Sequence, residues 1–207
     1  MTRDEAVADI KVQLGFKTSL DATIVTALQT AQEEAEKAPY LPLFLRSAIT
    51  TLVTIAATEA VALPTGFLRE WNEDGLYYYN SSLEYVPLVK DTIAHNRLTF
   101  PGVGQPQGYS ITEGSFLLFP TPDAVYNLKI IYYKADEVLS SDIENQWLRD
   151  GSKFLRGEAG KKVAFGLRDI VAYKQFESMA VEGMKDIRDF EVAQEEEGRT
   201  VSMGGAD

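Results

Sequence analysis

His95 is the single histidine of this 207-residue chain and there are no cysteines, so the side chains that most often hold zinc or act as nucleophiles are nearly absent. A catalytic histidine needs an orienting partner, and a metal site needs several ligands. The neighbours Ala94, Asn96 and Arg97 suit an exposed helix end better than a reaction centre. No serine lies in a G-x-S-x-G elbow, and Gly102-Val103-Gly104 lacks the third glycine and the preceding strand of a dinucleotide-binding turn. What remains is carboxylate chemistry. Asp136 with Glu137, or Asp142 with Glu144, has the composition of a glycosidase pair or a divalent-ion site. Acidic residues beside a linker are ordinarily just solvated, and the same holds for the run Glu195 to Glu197. The expectation is a protein with no catalytic residue, no metal and no cofactor, one that works through contact and is not an enzyme.

Aromatic residues are the stronger signal. Tyr77, Tyr78 and Tyr79 follow one another, and successive strand residues point to opposite faces, so at least one of the three is either exposed or covered by another chain. Ile131 and Tyr133 likewise make the nominally polar face of a strand apolar, so that end must be covered by the chain's own helices or by a neighbouring subunit. For the tyrosines an interface and internal packing are equally open, and the five residues together are the expected subunit or tail interface. Tyrosines of this kind also occur on carbohydrate-binding surfaces, which keeps a binding module as a second reading.

The element that must position them runs from Gly108 to Lys134. Glu113-Gly114 reads as the turn of a hairpin that folds Tyr109 to Thr112 onto Ser115 to Phe119. Pro120, Pro122 and Asp123 make a turn that launches a strand from Ala124 to Lys134, with Tyr126, Leu128, Ile130 and Tyr132 at period two on one face.

Helices are expected on both sides of this centre. Thr2 and Glu5 form a capping box before Ala6, Ile10 and Leu14, and Gly15 supplies the stop. Ser19 is placed to cap a second helix that turns Ile24, Val25, Leu28, Ala31 and Ala35 inward. A connector spans Tyr40 to Arg46. Strands are expected at Thr50 to Ala57, Phe67 to Trp71 and Leu76 to Tyr79, with a turn at Asn72 to Gly75. Pro87 suits the first turn of a helix reaching Pro101, followed by an exposed loop to Gly108.

After the central strands, Ser140, Ser141 and Asp142 are placed to cap a helical region from Glu144 to Leu167, either broken or closely packed near Gly157 to Gly160. A last helix, Asp169 to Glu197, spaces Tyr173, Phe176, Ala180, Ile187 and Phe190 close to a heptad seam. Arg199 to Asp207 is too small and polar to order itself, although Val201 and Met203 offer apolar anchors beside Arg199.

The fold class is therefore α+β: a helical bundle base built from N- and C-terminal helices, an inserted antiparallel β-rich lobe, a long C-terminal helix and a flexible tail. The expected parts are 1–47 and 141–197 for the base, 48–140 for the lobe and 198–207 for the tail. The formal charge of −11 argues against gripping nucleic-acid phosphates, though an acidic conduit suits DNA that must slide. No apolar run approaches the length of a membrane span, and no signal peptide opens the chain, so synthesis in a cytoplasm is expected.

The stretch from about Ala62 to about Asp169 resembles the adaptor, or head-completion, proteins at the head-to-tail junction of short-tailed bacteriophages. The resemblance is carried by the glycine-turn hairpin, the Pro-Thr-Pro-Asp turn, the strand ending in Tyr132-Tyr133-Lys134 and the Leu139-Ser140 linker into helices. It implies a virion protein, dodecameric when assembled, whose ring joins the portal protein to the nozzle or tube proteins of the tail. DNA would pass through that ring without being read. By the same analogy the helical part and the tail of the chain engage the portal, through Phe190, Arg199, Val201 and Met203, and the β-rich lobe faces the tail. The second reading becomes a tail-associated structural protein that binds a glycan or receptor.

Overall fold

The computed structural model describes residues 1–15, 18–71, 75–79 and 85–202. Among these residues the elements in chain order begin with helices α1 (Arg3–Gln13) and α2 (Asp21–Lys37) and strands β1 (Thr50–Val53), β2 (Ala60–Ala62), β3 (Phe67–Glu70), β4 (Leu76–Tyr79), β5 (Tyr85–Pro87) and β6 (Val89–Lys90). Helix α3 (Ile93–Thr99) follows, then β7 (Val103–Gly104), β8 (Gly108–Thr112), β9 (Ser115–Phe119), β10 (Thr121–Pro122), β11 (Asn127–Ile130) and β12 (Tyr132–Lys134). The chain closes with α4 (Gln146–Asp150), α5 (Ser152–Gly166) and α6 (Ile170–Ser202). Two compact units result: Met1–Leu45 with Asp136–Asp207, which is helical, and Arg46–Ala135, which is rich in strands.

The helical unit starts as its residues dictate. The Thr2 hydroxyl accepts from the Glu5 amide and the Glu5 carboxylate accepts from the Thr2 amide, closing the capping box of α1. Ala6 and Ile10 are fully buried, and Gly15 takes a φ of +75° just past the helix, a conformation that suits glycine. Ser19 does not cap α2. Residues Thr18–Leu20 already wind as a 3-10 turn, so the chain enters α2 through Leu20 in the helical region, with no extended residue whose side chain could cap. The inward set of α2 is Ile24, Ala27, Leu28, Ala31 and Ala35, with Val25 half-buried. The connector contains a single 3-10 turn at Leu43–Leu45.

The helical region after the strands is divided at Gly151, not near Gly157. Asn145 caps α4 by accepting from the Leu148 amide at 2.9 Å, in place of the expected Ser140 to Asp142. Gly157 and Gly160 lie inside an unbroken α5 and are there for closeness. A Cβ added at Gly157 would fall 2.5 Å from the Ala180 nitrogen, and one at Gly160 would fall 2.3 Å from the Phe176 ring. On α6, Ala172, Phe176, Ala180 and Ile187 are buried, whereas Phe190 is 63% exposed. Helix α6 runs through Gly198 to Ser202, beyond the expected end at Glu197. Its 33 residues make a rod of about 50 Å. Met203 lies outside the described residues.

In the strand-rich unit the hairpin forms in the expected register, from Gly108↔Phe119 to Thr112↔Ser115, with Gly114 at φ +87° in the turn. The sheets are β1-β11-β4-β5, β2-β9-β8-β6, and the pairs β12-β3 and β10-β7. The long strand expected over 124–134 is two strands in two sheets: β11 pairs with β1 and β4, and β12 pairs with β3. Ile131 sits at the joint, its carbonyl accepting from the Trp71 amide at 3.2 Å. The inward alternation survives the joint, since Leu128 and Ile130 are fully buried and Tyr132 nearly so. With Leu76, Phe116 and Leu118 they form the core of this unit.

Two expectations fail in this unit. Pro87 begins no helix: it ends β5, the Leu88 amide donates to Leu76 and the Val89 amide donates to Gln107, so this segment is sheet. Proline's fixed φ suits a sheet edge as well as a first helical turn, and the burial of Leu88 decides for the sheet. The helix begins only at Ile93, capped by the Thr92 hydroxyl. The strand expected over 50–57 ends at Val53, and β2 was not foreseen. Of the turn at Asn72 to Gly75, residues 72–74 lie outside the described residues.

Candidate interaction surfaces

The sheet β1-β11-β4-β5 has a buried face and an open one. Leu52, Leu128, Leu76 and Tyr78 turn to the core, and Tyr78 is 7% exposed, so the central tyrosine of the three is a core residue and not part of an interface. The Gln105 amide donates to its hydroxyl, and Tyr126 meets its ring edge-on at 6.3 Å. On the open face the register places Thr51 beside Lys129 and Lys129 beside Tyr77. The Lys129 ammonium donates to the Thr51 hydroxyl. Tyr77 packs against exposed Tyr85 with ring centroids 5.7 Å apart and planes at 90°, which is not the coplanar platform a sugar ring stacks on. Tyr79 pairs with Tyr85 in register. Ile131 and Tyr133 are half-buried, and the Arg69 guanidinium lies 5.3 Å from the Tyr133 ring centre.

Strand β1 is a terminal strand of this sheet, and Ile49, Val53 and Ile55 around it are 54%, 53% and 66% exposed. Sequence reasoning placed this strand without seeing that it lies at an edge. The run from Ser47 to Thr58 with no charged residue reads instead as a covered, central strand.

The second surface is α6. Lys153 of α5 bridges Glu182 at 3.1 Å and Asp186 at 2.9 Å, and the hydrogen bonds to Asp186 and then Glu182 raise its pKa above the ordinary lysine value. One turn further on, the Glu191 carboxylate accepts from the Tyr40 hydroxyl and the Leu43 amide, and the Arg188 guanidinium lies 5.0 Å from the Tyr40 ring centre. Glu191 therefore ties α6 to the connector. Phe190 and Val192 flank that tie and remain exposed. Arg199 and Val201 are helical, on the last turns of α6.

A third surface was not anticipated. Phe165, Ile170 and Val171, at the turn from α5 to α6, are 75%, 71% and 70% exposed. Phe165 and Ile170 border an open hollow of about 650 Å³, lined also by Arg168, Asp169 and Tyr173. Arg168 takes a φ of +58°, and Asp169 caps α6 by accepting from the Ala172 amide at 3.0 Å. Single exposed apolar residues are ordinary, but three at one helix turn are a contact site in waiting.

The acidic pairs weighed as chemistry have structural work to do. Asp136 accepts from the Trp147 amide at 2.8 Å, and Glu36 accepts from the Gln32 side chain, the Asp136 amide and the Trp147 indole. Buried Asn145 closes the network by donating to Gln32 and to the Glu137 carbonyl. Glu144 pairs with the amino terminus. His95 is on the surface, its Nε2 3.6 Å from an Asp91 carboxylate oxygen and its side chain 60% exposed. Among the described residues no group of three or more acidic, histidine or cysteine side chains is placed to hold a metal ion. The acidity of Tyr126 is perturbed: its hydroxyl donates to Asp123 at 2.5 Å, and that bond, followed by desolvation, pushes its pKa up to about 12.

Charge is unevenly shared. The strand-rich unit carries six basic and eight acidic residues, so almost all of the net −11 belongs to the helical unit. Among the described residues no helix is long and apolar enough to cross a membrane. A family model described as SU10 adaptor protein matches residues 1–180, a span that takes in the whole strand-rich unit and the helical unit through the first third of α6. No curated protein matches the chain.

Proposed function

This chain belongs to the SU10 adaptor protein family, whose members are phage structural adaptors, and on that premise we propose that it forms a ring at the head-to-tail junction of the virion. The ring, of about twelve copies, lies between the portal protein and the nozzle or tube proteins of the tail, seals the DNA exit channel after packaging and docks the tail. Copies in such a ring meet through heterologous contacts, one face of a subunit against a different face of the next. The work is positional, and no reaction is assigned to it. The observation that carries this reading is the family match across both units.

The matched span stops at residue 180, so Phe190, Arg199, Val201 and Met203 fall beyond it. That fits a docking element adapted to one particular portal. We assign portal contact to Phe190 and the last turns of α6, and contact with the tail or the next subunit to Tyr77, Tyr79, Ile131 and Tyr133. DNA passes the ring without sequence-specific contact. The test is a phage deleted for this chain. Its heads should package DNA and then leak it or fail to join tails. Heads that keep their DNA and join tails normally without it, or purified protein that binds or cleaves a polysaccharide, would overturn the reading.

A further inference from the structure

The two edges of the sheet β1-β11-β4-β5 are built differently. Edge strand β5 is three residues long and ends in Pro87, which has no amide hydrogen to offer. Short length and proline are the usual ways of keeping an edge from pairing with another chain. Edge strand β1 is also short, at four residues, but it carries no proline and no charge. From Ser47 to Thr58 there is no lysine, arginine, aspartate, glutamate or proline, and the segment Ile49-Thr50-Thr51-Leu52-Val53-Thr54-Ile55 is dominated by β-branched residues.

Its backbone groups are divided by register. The Thr54 amide donates to the Tyr126 carbonyl at 3.0 Å, and the antiparallel pairing runs Thr50↔Ile130 to Val53↔Asn127. In an antiparallel ladder the hydrogen-bonded residues alternate, so Thr50, Leu52 and Thr54 turn their amides and carbonyls toward β11. Thr51 and Val53 turn theirs to the open edge.

We propose that this edge pairs with β1 of a second copy of the chain, antiparallel, in a two-fold dimer of the free protein. The register that uses the whole run sets Thr51 opposite Val53, Ile49 opposite Ile55 and Leu52 opposite Leu52 of the other copy. The outward amides and carbonyls of Thr51 and Val53 then find partners across the two-fold axis, over the roughly 13 Å of the four-residue strand. On the open face the β-branched side chains of Ile49, Thr51, Val53 and Ile55 form an unbroken cross-strand ladder, the pairing such residues favour. On the inner face the half-buried Leu52 gains a cover.

Charge selects the occupant. The edge offers nothing that a basic or an acidic partner would recognise, and its complement is another uncharged strand of the same alternation. Two copies of a chain with net charge −11 repel each other, but the strand-rich unit that carries this edge, with six basic and eight acidic residues, has a net charge of only −2. The nearest charge on the sheet's open face, Lys129, would stand about three strand spacings, or roughly 14 Å, from its equivalent. That exceeds the screening length of about 8 Å at physiological salt.

A two-fold contact closes with two copies and propagates no further. It is therefore distinct from the contacts of a ring, and it describes the chain before assembly, when the open edge would otherwise recruit strands indiscriminately. Sedimentation of the purified full chain without portal, over a wide concentration range, is the test. A monomer–dimer equilibrium is expected, with the amides of Thr51 and Val53 protected from hydrogen exchange only at dimeric concentrations. Val53→Lys places a charge in the ladder, and Thr51→Pro removes an outward amide while leaving the β11 side intact. Each should weaken the dimer at least tenfold, with the unfolding temperature measured at monomeric concentration unchanged for Val53→Lys. A chain that is monomeric at every concentration overturns the proposal, as does a dimer or larger oligomer that both variants leave intact. Either result would leave the role at the head-to-tail junction standing, because that role is judged on particles.

Discussion

Gly183 of α6 lies so close to the backbone of α5 that a Cβ placed on it would fall 2.3 Å from the Phe154 nitrogen. The two helices touch main chain to main chain, and neither can yield by rotating a side chain. Gly183→Ala should force them apart and cost about 1–3 kcal/mol, the usual penalty for overpacking. At about 2–4 °C per kcal/mol for a chain of this size, the loss will show in a thermal melt. Gly166→Ala is the control. A Cβ there meets nothing within 4 Å, and the change should be neutral or slightly stabilising. Equal melting of Gly183→Ala and the parent would show that the close contact can relax freely.

Asn145→Ala should destabilise by about 1–3 kcal/mol, because it removes the cap of α4 and strips buried Gln32 of a donor. Ser141→Ala, at the position the sequence suggested for the cap, should change stability by less than about 0.5 kcal/mol. Urea unfolding followed through Trp147, which is fully buried next to this network, distinguishes the two.

Tyr126 should ionise at about 12 against an ordinary value of 10. A raised folded-state pKa means that the neutral form is held by the fold. The stabilisation is complete below pH 10 and is lost as pH climbs from 10 through 12. In an absorbance titration Tyr126→Phe should remove one tyrosine's share of the change near pH 12. A titration curve that is undiminished near pH 12 in the variant would contradict the Asp123 assignment.

Deleting Gly198 to Asp207 removes only the end of α6 and the residues after it, well past the buried seam that closes at Ile187. The melting temperature should stay within about 2 °C, in keeping with a change outside the core. Attachment to portals should fall severely. Undiminished attachment would move portal docking onto the rest of the helical unit.

The isolated protein should not bind duplex DNA appreciably at physiological salt, since its net charge of −11 opposes contact with phosphates. Micromolar affinity with a steep salt dependence in a gel-shift series would show a basic surface at odds with this charge.

What could be read from the residues was whatever depended on local chemistry. The capping box at Thr2 and Glu5, the glycine-turn hairpin at Gly114 and the inward faces of α2 and α6 all rest on contacts a few residues apart or on simple periodicity. Tertiary context decided the rest. Pro87 and Leu88 match a helical start and a strand equally well, and only the carbonyl of Leu76 across the sheet settles the matter. The strand over 124–134 shows an unbroken alternation that gives no hint of its changing sheets at Ile131. Gly151 was hidden among more conspicuous glycines, because a glycine that breaks a helix and one that admits a neighbour look alike until the neighbour is in place. For the interaction surfaces, the tyrosine triplet stood out in the sequence, but which of its members faces the core depended on the phase of the strand. The exposed turn at Phe165 and Ile170 carried no pattern at all, since apolar residues at a helix end are read as core by default.

The concentration of acid on the helical unit has a bearing on the particle's chemistry in water. Copies gathered into the proposed ring bring like charges together, and cations must be taken up from the surroundings to make that tolerable. Assembly of the proposed ring is then a cation-consuming step, favoured by salt and opposed by dilution into fresh water.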